Sequence, residues 1–391
     1  MSIWYDTTQE SSGNKKLYAF LIGVSRYQHM DDETADGPLT FQSLESAATS
    51  ALHFAKWIRD DCHIPDCDEK KIFLLASPSH SENNPDFSGC APARKDEVET
   101  ALEGFLDEAK KNSDIDRIIV YVAGHGIKMD GERPILFLED FAKPGVGPLK
   151  NALDINDLLN AFAGPDTPEI QFFFIDTCQT IPARRHALDT ERTGITLSSS
   201  AQTVKPQFTL YATPVSQEAY GKPGETSFFC QSLISALKNG FASDRQGKAT
   251  NESLKIAIQK YFRRHFSHAC HGQDPVGEGD GGRWDFHHYI GSVKAPFEVF
   301  LAHPPTTTTT IEIFCGYSQD DQSRNDACVA TVSFAQNTCD KFFASSQQPQ
   351  GVYLASLNAV SSSDPIPHFP PYWGALVYDN VNDQWEDADH A

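Results

Sequence analysis

From Leu17 to about His265, apolar runs of strand length alternate with segments whose apolar residues recur at helical spacing. Such a chain buries its strands by laying them side by side and covering both faces with the intervening helices, giving a mainly parallel sheet. Leu17 to Val24 is the first run. Leu44, Ala47, Ala48, Ala51, Leu52, Ala55 and Ile58 then share one face at a helical period. Ile72 to Leu75 reads as the second strand, and Val98, Leu102, Phe105, Leu106 and Ala109 mark the next helix. Ile118 to Ala123 is the third strand, apolar almost throughout, as a strand covered on both faces should be. Ile135 to Leu138 is a short extra strand and Ile155 to Phe162 a short helix. Gln171 to Ile175 and Phe208 to Ala212 are the fourth and fifth core strands. Ser227 to Asn239 forms a helix with Gly240 in the C-cap position, and Leu254, Ile258, Tyr261 and Phe262 mark one more.

The pattern changes near residue 300. Pro304, Pro305 and the run Thr306 to Thr310 read as a linker, within residues 296–310. Beyond it, Ile311 to Phe314, Cys328 to Phe334 and Ala375 to Tyr378 are strand-like pieces between Ser, Asn, Gln and Pro. The expected organisation is a large α/β domain over 15–295, then a small β-rich region over 311–391 ending in an acidic tail. That last region holds eleven acidic residues against Arg324 and Lys341.

A formal net charge of −21 sets a surface that repels nucleic acid and anionic membrane and suits basic partners, including a basic peptide segment. No apolar run approaches the roughly 20 residues that span a bilayer. Met1 to Lys16 is polar and lacks a signal-peptide core, so the cytoplasm is the expected location. The nine cysteines are odd in number and scattered, which reads as free thiols. Cys62, His63 and Cys67 lie close together, but no second ligand pair at zinc spacing follows. His287 and His288, beside Trp284, Asp285 and Phe286, read as a strand edge in preference to a metal site.

Two strand ends carry chemistry. The third core strand runs into Ala123-Gly124-His125-Gly126 and the fourth into Asp176-Thr177-Cys178-Gln179. Catalytic groups in open α/β sheets gather beyond the carboxyl ends of the strands, so neighbouring strands would set His125 beside Cys178. A thiol with a pKa near 8.5 is mostly protonated at neutral pH and needs such a base. The imidazole can take its proton and later return one to a leaving amine. Glycines flanking His125 leave room for a substrate backbone and free N–H groups for an oxyanion. Taken alone, the cysteine is a small core residue and Gly-His-Gly a turn; their joint placement favours a dyad.

Here the chain resembles the caspase-like superfamily of caspases, metacaspases, paracaspases and bacterial relatives. The resemblance lies in Tyr121-Val122-Ala123-Gly124-His125-Gly126 and Phe172-Phe173-Phe174-Ile175-Asp176-Thr177-Cys178. His125 and Cys178 are 53 positions apart, near the roughly 50 of caspases. The opening strand Tyr18 to Tyr27, the run Tyr211 to Pro214, Glu218 to Tyr220, Ser227 to Phe229, and Gln273-Asp274-Pro275 are similar to further family elements in family order. The resemblance covers roughly 15–295 and implies a caspase-like three-layer sandwich with a mainly parallel central sheet. It also implies peptide-bond cleavage through a thioester on Cys178, with His125 as acid and base. The backbone N–H groups of Cys178 and Gly126 would form the oxyanion hole. No cofactor is implied. Calcium, proteolysis or a second protein as the switch is left open.

On the residue before the scissile bond, Asp176 is similar to the metacaspase acid that binds a basic side chain, pointing to Arg or Lys in a pocket near Ala123. A strand-end aspartate bonding local backbone is the bland reading. Metacaspases carry a second pocket acid where this chain has Ser50, and Arg26 points instead to an acidic preference. Arg184, Arg185 and Arg192, in the polar stretch from Thr180 to Gln207, are candidate self-cleavage sites. Bacterial relatives act as regulated proteases in stress or antiviral defence. The competing readings are a catalytically silent module of the same fold, which binds or regulates, a protease cutting after Asp, and a different cysteine-dependent hydrolase or transferase.

Overall fold

In the computed structural model the described residues are 3–8, 15–30, 43–129, 133–147, 149–180, 193–195, 197, 205–238, 240–243, 246–266, 269–270, 272–278 and 282–290, then the strands between 297 and 387. The chain divides into two compact units, Met1–Ile234 with Tyr261–Trp284, and Ser235–Lys260 with Asp285–Ala391.

In chain order the strands of the first part are β1 (Ile3–Asp6), β2 (Lys16–Val24), β3 (Glu69–Ser77), β4 (Ile115–Gly124), β5 (Gly126–Met129), β6 (Arg133–Phe137), β7 (Ala152–Asp154), β8 (Ile170–Thr177), β9 (Phe208–Tyr211), β10 (Lys248–Thr250), β11 (Val276–Glu278) and β12 (Asp285–His288). The helices are α1 (Ala47–Asp60), α2 (Lys95–Lys111), α3 (Ile155–Phe162), α4 (Phe228–Lys238) and α5 (Asn251–Phe266). The first unit is built on a seven-stranded sheet in the order β1-β3-β2-β4-β8-β9-β11. Its five central strands are mutually parallel, and β1 and β11 close the edges antiparallel.

The sheet is a mixed α/β sandwich because alternate side chains of each strand serve opposite faces. Tyr18 and Phe20 of β2 meet Phe105 of α2, which also packs on Phe162 of α3. On the other face Tyr121 of β4 and Phe174 of β8 meet Phe54 of α1. α1 comes so close to the sheet that a Cβ on Gly23 would lie 2.7 Å from the Ala47 carbonyl oxygen, so only glycine fits there. α1 and α2 bury the stripes that their spacing predicted, except that α1 starts at Ala47 and leaves Leu44 before it and partly buried; the central strands are buried on both faces.

The strands run longer than their apolar cores suggest. Lys16, Glu69, Lys71 and Arg117 extend them, and the three cations are held by carboxylates: Lys16 by Asp114, Lys71 by Glu108 and Arg117 by Asp116. β5 and β7 were not anticipated; with β6 they form a separate antiparallel sheet. β5 begins one residue after His125, so this small sheet grips the loop that carries it.

The second unit contains the antiparallel pair β10 and β12. The strands beyond are β13 (Phe297–Leu301), β14 (Thr309–Cys315), β15 (Cys328–Phe334), β16 (Phe342–Ala344), β17 (Tyr353–Leu357), β18 (Gly374–Asp379) and β19 (Gln384–Asp387). They form a four-stranded sheet, β16-β13-β18-β19, and a three-stranded one, β15-β14-β17, so this region is β-rich.

Candidate active site

The parallel register of β4 and β8 sets Ala123 opposite Asp176 and Gly124 opposite Thr177. The next residues on the two strands are His125 and Cys178. Neighbouring strands lie about 4.8 Å apart, so the two backbones leave the sheet side by side. The turn after His125 packs tightly on the cysteine strand. A Cβ on Gly126 would lie 2.9 Å from Thr177 Cβ and 3.0 Å from the Cys178 carbonyl oxygen. Glycine is what allows this approach.

Both backbone groups of His125 are engaged. Its N–H donates to the Tyr27 hydroxyl at 2.7 Å, and its carbonyl accepts from the Phe137 N–H at 2.9 Å. The rings of Tyr27 and His125 lie 5.2 Å apart at 39°.

The Cys178 thiol rests against the Ala219 peptide. The Ala219 N–H donates to Sγ at 3.3 Å, and the S–H lies 3.8 Å from the Ala219 carbonyl oxygen. Burial pushes the thiol up to about 11; the Ala219 N–H opposes that, and the charges of Glu218 and Asp176 add to it. At neutral pH the sulfur therefore holds its proton until a base takes it.

A cavity of about 360 Å³ opens beside the thiol. Cys178, Asp176 and Ala123 line it with Ser227 and Tyr220, and Glu45 and Lys222 also reach it. Asp176 is 5% exposed. Its Oδ2 accepts from the Tyr121 hydroxyl at 2.6 Å and from the Ser227 hydroxyl. Ser227 also accepts from the Cys230 N–H at 3.0 Å, so one hydroxyl caps the first turn of α4 and holds the aspartate. Burial pushes the Asp176 carboxyl up to about 6, and the Ser227 and Tyr121 hydroxyls only partly oppose it. Among the described residues no cationic side chain pairs with it.

Ser50 does not line this cavity. Its hydroxyl donates to the Ser46 carbonyl at 2.7 Å and accepts from the Ser227 N–H at 2.8 Å, so it fastens α1 to the start of α4. Gln273 tethers the cavity wall: its amide donates to the Ala212 carbonyl at 3.2 Å and accepts from the Tyr220 N–H at 3.0 Å.

Arg26 is not brought to the cavity either. It donates to Oε1 of fully buried Glu139 at 2.7 Å, where Gln28 and Arg94 also donate, while Ser77 holds Oε2. Arg184, Arg185 and Arg192 lie outside the described residues. His288 pairs with Asp285 at 2.9 Å, the same oxygen that Lys248 reaches at 2.7 Å, and buried His287 packs edge-on against Tyr289. Cys62 and Cys67 are buried thiols, raised by burial to about 12 and about 11. Among the described residues no group of three or more His, Cys, Asp or Glu is arranged to hold a metal, and no helix is long and apolar enough to cross a membrane.

Sequence reasoning missed Tyr27, Tyr121, Ala219 and Ser227. Tyr121 and Ser227 sit inside quoted motifs, and their polar ends at buried strand and helix termini were the available signal. Ala219 acts through its backbone, which leaves no mark in the sequence.

Comparison with known proteins gives three findings. The family model of the caspase domain matches residues 16–265. A protein named "Probable protease" from a Desulfuromonadales bacterium is 27% identical over 233 residues, covering 56% of this chain. The match spans 26% of that relative, about a quarter of its length. Among solved structures, caspase-1 of Spodoptera frugiperda aligns at 15% identity and a TM-score of 0.42, covering 68% of this chain and 86% of that one. A Geobacter sulfurreducens protein aligns at 15% identity and 0.43, covering 68% and 94%.

Proposed function

The chain belongs to the caspase-domain family of peptidases, and from that premise we propose that it is a cysteine endopeptidase whose nucleophile is Cys178 and whose acid–base group is His125. The observation that carries the reading is the register of β4 on β8, which delivers both residues from adjacent parallel strand ends.

In the proposed reaction His125 takes the Cys178 proton as Sγ bonds to the scissile carbonyl carbon. The oxyanion is received by the backbone N–H groups of Cys178 and Gly126, whose strands approach closely. His125 gives the proton to the leaving amine as the C–N bond breaks, leaving a thioester that water hydrolyses. Burial holds the resting thiol protonated, so the reaction needs a base to take that proton before or as the sulfur attacks.

The substrate would be a protein or peptide with Arg or Lys before the scissile bond. A buried carboxylate that pairs with no cation among the described residues, lining a cavity beside the proposed nucleophile, supports this. Self-cleavage after Arg184, Arg185 or Arg192 and a regulated role in stress or antiviral defence extend the same reading. So does the assignment of 15–295 as the catalytic domain.

The test is a fluorogenic peptide library varied at the residue before the cut, run on wild type and Cys178→Ala. Turnover confined to wild type and to Arg and Lys peptides is expected. Equal turnover by both proteins would end the reading. Fragment mapping by mass spectrometry on the same pair reports whether nicking at the three arginines needs the thiol.

A further inference from the structure

We propose that Tyr27 is a positioning residue for the dyad: its hydroxyl holds the His125 backbone in the place from which the imidazole can reach the Cys178 thiol. The inference rests on the dyad reading above. His125 is the single residue between the end of β4 at Gly124 and the start of β5 at Gly126. The Phe137 N–H holds its carbonyl at 2.9 Å, and the Tyr27 phenol holds its N–H at 2.7 Å. That phenol donates onward to the Val24 carbonyl at 3.2 Å. The chain of contacts therefore runs from the end of β2, through one side chain, to the residue that follows β4.

Tyr27 is suited to this. It is 1% exposed, and its ring lies against the imidazole it anchors. Burial raises its hydroxyl far above the working range, so it stays a neutral O–H that accepts from His125 and donates to Val24. A phenylalanine would keep the ring packing and remove only the bridge. The His125 N–H would then lose this bond, and the turn would relax to replace it. A displacement of about 1 Å at a catalytic group costs up to about a hundredfold in rate.

The experiment compares wild type, Tyr27→Phe, Tyr121→Phe and His125→Ala in two assays. One is the pH dependence of Cys178 alkylation by iodoacetamide, read by peptide mass mapping. The other is kcat and KM on the best fluorogenic peptide, per titrated active site. Circular dichroism confirms folding. Tyr27→Phe is expected to lower kcat about 10- to 100-fold with KM within about twofold, and to move the alkylation profile toward that of His125→Ala. Tyr121→Phe removes an equally buried hydroxyl beside Asp176 and is expected to raise KM for basic peptides while leaving the alkylation profile in place. If Tyr27→Phe does not fold, Tyr27→His, which offers a ring and an acceptor, takes its place and is expected to retain more activity than Tyr27→Ala. An unchanged alkylation profile and kcat in Tyr27→Phe, with His125→Ala impaired, overturns the positioning role alone. An unchanged profile in His125→Ala overturns the dyad itself.

Discussion

Glu139 and Asp176 are both buried carboxyls in the first unit, yet the protein treats them in opposite ways. Glu139 gathers Arg26, Arg94, Gln28 and Ser77. Burial works to raise its carboxyl, but the Ser77 hydroxyl and the two guanidinium groups outweigh it and hold the group below its ordinary value. Asp176 receives only two hydroxyls and is left near 6. One charge is neutralised from within the fold. The other lines the cavity beside the Cys178 thiol and pairs with no cation among the described residues. A buried charge supplied with cations is architecture; under the proposed specificity, one left without them serves recognition at a cost in stability.

The stability measurements should split the pair by sign. Glu139→Gln leaves a neutral amide against two guanidinium groups that are 37% and 38% exposed, and losing charge-assisted hydrogen bonds costs about 1.5–3 kcal/mol. We expect a loss of that order in urea unfolding at pH 7.5. Because the folded-state carboxyl is depressed, its contribution is present above the unfolded value and fades as pH falls through the folded one, so wild type and mutant should converge in acid. Asp176 runs the other way. Its folded-state value, about 6, lies above the ordinary carboxylate range, so ionisation opposes folding as pH rises through that window. Asp176→Asn should therefore be more stable than wild type above pH 6, by on the order of 1–3 kcal/mol, and lose that advantage below pH 4. Two mutants shifting in the same direction at pH 7.5 would break the contrast.

Selectivity sharpens it further. Taking the ratio of kcat/KM for an Arg peptide over its norleucine analogue cancels any titration of the dyad. The ratio should be about a hundredfold at pH 7.5, the worth of a charge-assisted hydrogen bond in a dry pocket. At pH 5 about nine-tenths of Asp176 is protonated in the free enzyme, so the ratio should fall about tenfold. Asp176→Asn should show a low ratio at every pH. A ratio independent of pH in wild type would mean that the discriminating charge lies elsewhere.

The sheet was legible because its central strands are buried on both faces and read as unbroken apolar runs. Their ends were not, since Lys16, Glu69, Lys71 and Arg117 continue the ladder with charges whose partners are visible only in three dimensions. The neighbouring positions of His125 and Cys178 in the backbone were legible because each stands just past the end of such a strand. The pocket was half legible. Asp176 could be named from its place before the cysteine, but the hydroxyls that hold it come from residues 55 and 51 positions away. β5 was missed because Gly126 and Lys128 break any apolar pattern, and its pairing with β6 is what defines it as a strand. Ser50 stood where a second acid was sought and proved to be a fastener between α1 and the start of α4.

Arg26 gives the smallest effect and the cleanest decision between cleavage after a basic residue and cleavage after aspartate. From the sequence alone it was the one cation offered for an acidic substrate, because the 113 positions separating it from Glu139 hide their pairing. Its side chain is 37% exposed, and Arg94 remains to balance Glu139 when it is removed. Arg26→Gln should therefore cost only about 1 kcal/mol of stability, in the range of partly exposed pairs. The Arg-to-norleucine ratio and its pH dependence should stay within about twofold of wild type. If Arg26 instead served a specificity pocket, the same mutant would lose turnover of Asp peptides selectively and keep its stability. A library assay on Arg26→Gln beside a urea titration separates these outcomes, because the two roles draw on the guanidinium in different places: inside, against Glu139, or outside, against a substrate.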